Sequence, residues 1–102
     1  MAQIPESYLN FKETYKDIWQ AYDQLGAAVH SAGPLDERTR ALVKLSLAVG
    51  VRHEGAVHAH VRKALALGIS AAEIRHVVLL AIPTVGFPAA MAALSWVEDL
   101  LA

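Results

Sequence analysis

Three of the chain's five histidines fall within eight residues, in the stretch Arg52-His-Glu-Gly-Ala-Val-His-Ala-His60. Imidazole is the side chain whose ordinary pKa lies nearest neutrality, so such a cluster can move protons, hold an anion or bind a cation. On a helix, residues seven apart differ by about 20° of azimuth, which turns His53 and His60 to one side with Ala56 between them. One of the pair can then act as general acid or base while the other, or Arg52, holds an anionic substrate. Glu54 and His58, four apart, share a different face and are further candidates for substrate contacts. The plainer alternative is that these histidines cap, hydrogen-bond or face solvent, because no Ser/His/Asp set or acid pair completes a catalytic group around them.

Glu54 and His58 could also grip one metal ion, since ligands four apart meet on a helix. The His-Glu-x-x-His arrangement is absent, however, and two ligands from one helix need a third from another helix or another subunit. No metal and no cofactor are therefore expected, and His30 and His76 lie too far along the chain to be placed. Trp19, Trp96 and the tyrosines, at helical spacing, are expected to anchor a core or subunit interface rather than line a cofactor. Glu37, Arg38 and Arg40 read as a solvated face, and no glycine-rich phosphate loop occurs.

The elements that must position these residues are all helical. From about Glu6 to His30, Tyr8, Phe11, Tyr15, Ile18, Trp19, Tyr22 and Leu25 recur at three and four residues, which predicts one amphipathic helix. Gly33-Pro34 breaks it. Asp36 is placed to cap a second helix carrying Leu42, Leu45 and Val49, with Glu37 favoured in its first turn. A third helix runs from about His53 to Leu67 and ends at Gly68, with a bend from the second expected near Gly50. Ser70-Ala-Ala-Glu73 has the capping-box pattern that starts a fourth helix, expected to stop near Pro83. Pro88 opens the last, which carries Met91, Leu94, Val97 and Leu101. The expectation is an all-α bundle of about five helices in one domain: an N-terminal helix in 1–33, a central segment 35–82 and a C-terminal helix in 88–102.

Composition narrows the function classes. A chain of 102 residues that is 55% hydrophobic and 19% charged folds, but is hard put to hide so much apolar surface within one subunit, so a homo-oligomer is expected. Nine basic and ten acidic residues leave no field to hold nucleic acid. There is no cysteine, which removes disulfides, thiolate nucleophiles and cysteine metal sites. The first residues lack a basic region followed by an apolar one, so a cytoplasmic protein is expected. Val77 to Val97 is free of charge and long enough to span a bilayer, but Pro83, Gly86 and Pro88 in its middle read as a turn between two buried helices instead.

The central segment carries a family resemblance. Leu35-Asp-Glu-Arg-Thr-Arg-Ala-Leu-Val-Lys-Leu, Glu54-Gly-Ala-Val-His-Ala-His60, Ala64, Gly68 and Ser70-Ala-Ala-Glu73-Ile74 together resemble the carboxymuconolactone decarboxylase family, which includes the alkylhydroperoxidase D-like proteins. The family pattern Cys-x-x-Cys-x-x-x-His-x-x-x-Ala-x-x-x-Gly is met at His60, Ala64 and Gly68. Where the peroxidase branch has its two cysteines this chain has His53 and Ala56, and where that branch has a glutamate it has Ala41. Thiol peroxidase chemistry needs one thiolate to attack and a second thiol to resolve, so it is excluded. The resemblance still implies the all-helical fold, trimers or hexamers, and a pocket around His60. It also implies a lyase or isomerase acting on a small anionic lactone or keto acid, with His60 as general acid or base, His53 as a second donor and Arg52 on the carboxylate. The alternative is a non-catalytic oligomeric protein that binds small molecules on the same scaffold.

Overall fold

The computed structural model describes residues 4–101. Among them are six helices and no strands: α1 (Glu6–Thr14), α2 (Lys16–Ser31), α3 (Glu37–Gly50), α4 (Glu54–Ala66), α5 (Ala71–Val85) and α6 (Phe87–Glu98). They form two compact units, divided between Leu35 and Asp36, immediately after the Gly33-Pro34 break.

In the first unit the expected single helix is two, parted at Tyr15 (φ −119°, ψ 57°). The reason lies in its side chains. The Trp19 indole N–H donates to the Tyr8 hydroxyl at 2.8 Å, yet in an unbroken helix residues eleven apart lie about 16 Å apart along the axis. The chain must fold back to close that bond. Lys12 Nζ lies over the Trp19 ring, 4.3 Å from its centroid, and the Phe11 and Tyr15 rings sit 5.6 Å apart. These contacts reward the break with aromatic and cation–π attraction.

The second unit holds the core. Leu45 and Val49 of α3, Val57 and Val61 of α4, Ile74 and Val78 of α5, and Ala93 and Val97 of α6 are all buried together. Their three- and four-residue spacing gives each helix one apolar stripe, and the four stripes face one another. Capping follows the sequence closely. Asp36 accepts from the Thr39 amide at 2.8 Å. Ser70 and Glu73 close a full capping box, while the Arg38 guanidinium bonds the same Glu73 and joins α3 to α5.

Both turns flanking α4 have the same backbone form. After α4, the Gly68 amide donates to Leu65 O and the Ile69 amide to Ala64 O, with Gly68 at φ +81°. After α3, the Arg52 amide donates to Val49 O and the His53 amide to Ala48 O, with Arg52 at φ +59°. Each is the left-handed stop that recovers orphan carbonyls at a helix end. The first uses the residue type that tolerates that conformation; the second does not.

Two boundaries differ from expectation. α5 runs through Pro83 to Val85 rather than stopping there. The proline stands in the last turn, where it forfeits one backbone bond instead of a ladder, and the Thr84 hydroxyl donates to Leu80 O at 3.0 Å. Gly86, at φ +105°, makes the stop. α6 ends at Glu98, short of the expected Leu101, although Leu101 itself packs into the core. No helix among the described residues is long and apolar enough to cross a membrane.

Candidate functional site

The histidine-rich stretch is distributed over α4 and the turn before it, and the structure separates what the sequence grouped. His53 lies outside the helical series as the N-cap of α4 (φ −108°, ψ 105°), and its Nδ1 accepts from the Ala56 amide at 3.1 Å. Its ring is therefore engaged at the amide end of α4. Gly55 makes the fold-back feasible, because a Cβ there would stand 3.3 Å from the His53 ring. Arg52 is exposed and in the left-handed conformation described above.

His60 occupies the second turn of α4 and is partly buried. Burial pushes its pKa down from 6.5 to about 4, and the positive charges of Lys63 on the same helix and Lys44 on α3 push the same way. The imidazole is thus neutral at physiological pH and sits in an electropositive setting. Lys44 is itself lowered, by desolvation and then by Lys63 and Arg40. A half-hidden neutral base beside several cations is suited to accept a proton next to a bound anion.

Glu54 and His58 lie on another side of α4, turned by about 200° for His58 relative to His60. There they meet a residue distant in sequence: His58 Nε2 is 2.9 Å from Oδ2 of Asp99, just beyond α6. One ligand atom from each of Glu54, His58 and Asp99 lies within 4.8 Å of the others. Lys63 could have been found from its three-residue spacing to His60. Lys44 and Asp99 could not, since only the packing of α3 and α6 on α4 brings them in.

A separate groove of about 780 Å³ runs between α3 and α5, lined by Leu42, Leu47, Val77 and Leu80, with Glu73 and His76 as polar members. His60 does not line it. Glu73 is held in the ionised state, its pKa lowered to about 2 by the Ser70 amide and then by Arg38.

Four helices packed about one apolar core, with a capped helix presenting the partly buried His58 and His60, define an all-helical bundle. The chain belongs to the carboxymuconolactone decarboxylase family, whose model matches residues 16–99. That match extends well beyond the central segment that carried the resemblance. An uncharacterized protein of Haemophilus influenzae is 35% identical over 63 residues, 62% of this chain and 56% of that protein, so the chain matches little more than half the length of that relative. The crystal structure of an apo carboxymuconolactone decarboxylase family protein from Legionella pneumophila superposes with a TM-score of 0.76 at 22% identity, covering 94% of this chain and 88% of that one. At that identity it bears on the fold. With no cysteine in the sequence, these residues cannot supply a dithiol peroxidase centre.

Proposed function

We propose that the chain is a carboxymuconolactone decarboxylase-like lyase or isomerase acting on a small anionic lactone or keto acid, with His60 as its acid–base group. The observation that carries this reading is the neutral, partly buried His60 imidazole beside Lys44 and Lys63. Those two cations favour a substrate carboxylate. The bound negative charge in turn offsets part of the lysines' repulsion, raising the His60 pKa toward the pH at which proton transfer is most effective.

In a decarboxylation the bond from carbon to the carboxylate breaks, carbon dioxide leaves, and the electron pair spreads onto the lactone carbonyl as a dienolate. The protonated His60 then delivers its proton to carbon and recovers one from solvent. In an isomerisation the neutral ring removes a proton next to the carbonyl and returns it at another carbon. Arg52, exposed at the mouth of α4, can reach for a second anionic group. His53 serves by capping α4, which fixes the helix that carries His60.

A homo-oligomer in the cytoplasm is part of this reading, its self-association supported by exposed apolar side chains such as Leu47 (62%), Leu80 (59%) and Phe87 (59%). Light scattering of the untagged chain tests it. A second reading, a non-catalytic small-molecule binder, is favoured by the volume and apolar lining of the α3–α5 groove.

The deciding experiment follows small lactone acids and keto acids by NMR with wild-type protein and His60→Ala. Turnover lost in the variant, with helicity and assembly unchanged, supports the lyase. Turnover that survives removes His60 from the chemistry. Binding without turnover, abolished by Leu80→Glu in the groove rather than by His60→Ala, favours the binder.

A further inference from the structure

We propose that Glu54, His58 and Asp99 form a binding site for one divalent cation of the zinc class, on the side of α4 turned away from His60. The donor set is one imidazole nitrogen and two carboxylates, a mixture that suits first-row divalent metals better than the all-oxygen shells of calcium or magnesium.

The geometry is close to what coordination requires. Ligands bound to zinc at about 2.0–2.2 Å stand roughly 3–4 Å from one another. His58 Nε2 and Asp99 Oδ2 are already 2.9 Å apart, and all three ligand atoms lie within 4.8 Å. Only Glu54, exposed in the first turn of α4, needs to swing inward. His58 and Glu54 are presented together by their four-residue spacing. Asp99 is held from the other side, because the neighbouring Glu98 takes two bonds from Arg75 of α5, at 2.7 and 2.8 Å. The acceptor that Asp99 offers is turned to His58. Three protein ligands, two from α4 and one from the residue that follows α6, leave the remaining coordination positions open to solvent, the pattern of an accessible rather than a closed structural site. A bound cation would cross-link the beginning of α4 to the end of α6.

The test is equilibrium dialysis of the untagged chain against zinc, with metal measured by mass spectrometry and with thermal unfolding recorded in parallel. One zinc per chain and a rise in Tm are expected, and the His58 ring resonances should shift on metal addition. Asp99→Asn and Glu54→Gln, both at exposed positions, should each weaken binding by tenfold or more, since even outer partners of a metal site are worth about 10–100-fold. His58→Ala should abolish it. The proposal is overturned if no stoichiometric zinc binds at millimolar concentration, if binding is unchanged in Asp99→Asn and Glu54→Gln, or if it is lost instead with His53→Ala or His60→Ala. None of these readouts depends on turnover. Should His58→Ala fail to fold, the two carboxylate variants decide the matter by themselves.

Discussion

The two sides of α4 use the same residue type for opposite purposes. His60 is partly buried, and Lys44 of α3 and Lys63 of α4 add to the burial in opposing its protonation. His58, two residues earlier, points toward acids, with Asp99 at 2.9 Å and Glu54 one turn below. The first setting disfavours the imidazolium and leaves a neutral base for an anionic ligand. The second offers lone pairs to a cation. What differs is not the histidine but its burial and the sign of the charges around it.

Removing His60 is the strongest way to probe that contrast. His60→Ala should lower turnover of an anionic lactone by about 10²–10⁴-fold, while His58→Ala should leave it largely intact. Equal losses from the two would erase the functional distinction between the faces.

The electrostatic half of the comparison is tested by Lys44→Met and Lys63→Met. Each removes a like charge, so the His60 pKa should rise from about 4 in an NMR titration, yet stay below 6.5 because burial is the larger cause. An unchanged pKa would mean that the lysines do not set the field at His60.

The same depressed pKa has a consequence for stability. His60 binds a proton more weakly folded than unfolded, so lowering the pH from about 6.5 toward 4 favours the unfolded chain. Urea unfolding should show stability declining across that window, with a shallower decline in His60→Leu. Glu73 adds loss only at lower pH, as its carboxylate is protonated between the ordinary 4.5 and about 2.

On the acidic side the effects without metal should be small. His58–Asp99 is a surface pair, so Asp99→Asn should cost less than about 1 kcal/mol in metal-free protein. Smaller still is Arg52→Gly. A glycine there removes left-handed strain but adds unfolded-state freedom, for a net gain of at most about 1 kcal/mol. A loss would show that the Arg52 side chain contributes to the turn.

Much of the fold was legible because its signals are local. Asp36, Ser70-Ala-Ala-Glu73 and Gly68 act on amides and carbonyls within a few residues of themselves, and the apolar stripes of α3 to α6 follow from periodicity alone. The break at Tyr15 was not legible, because the Tyr8–Trp19 bond that rewards it competes against an unbroken helical pattern. Nor was the continuation of α5 through Pro83, since a proline's cost depends on how many turns follow it.

For the site, residue identity determined what could be done and packing determined where. The absence of cysteine removed dithiol chemistry, and the spacing around His60 placed the chain in its family, because both are properties of the chain in order. The spacing could not reveal that His53 leaves the helix to cap it, since an imidazole at a helix start can either cap or continue the face. It could not bring Lys44 to His60 or Asp99 to His58 either. Those approaches span residues far apart in sequence, and only the burial of one core by four helices fixes their distance.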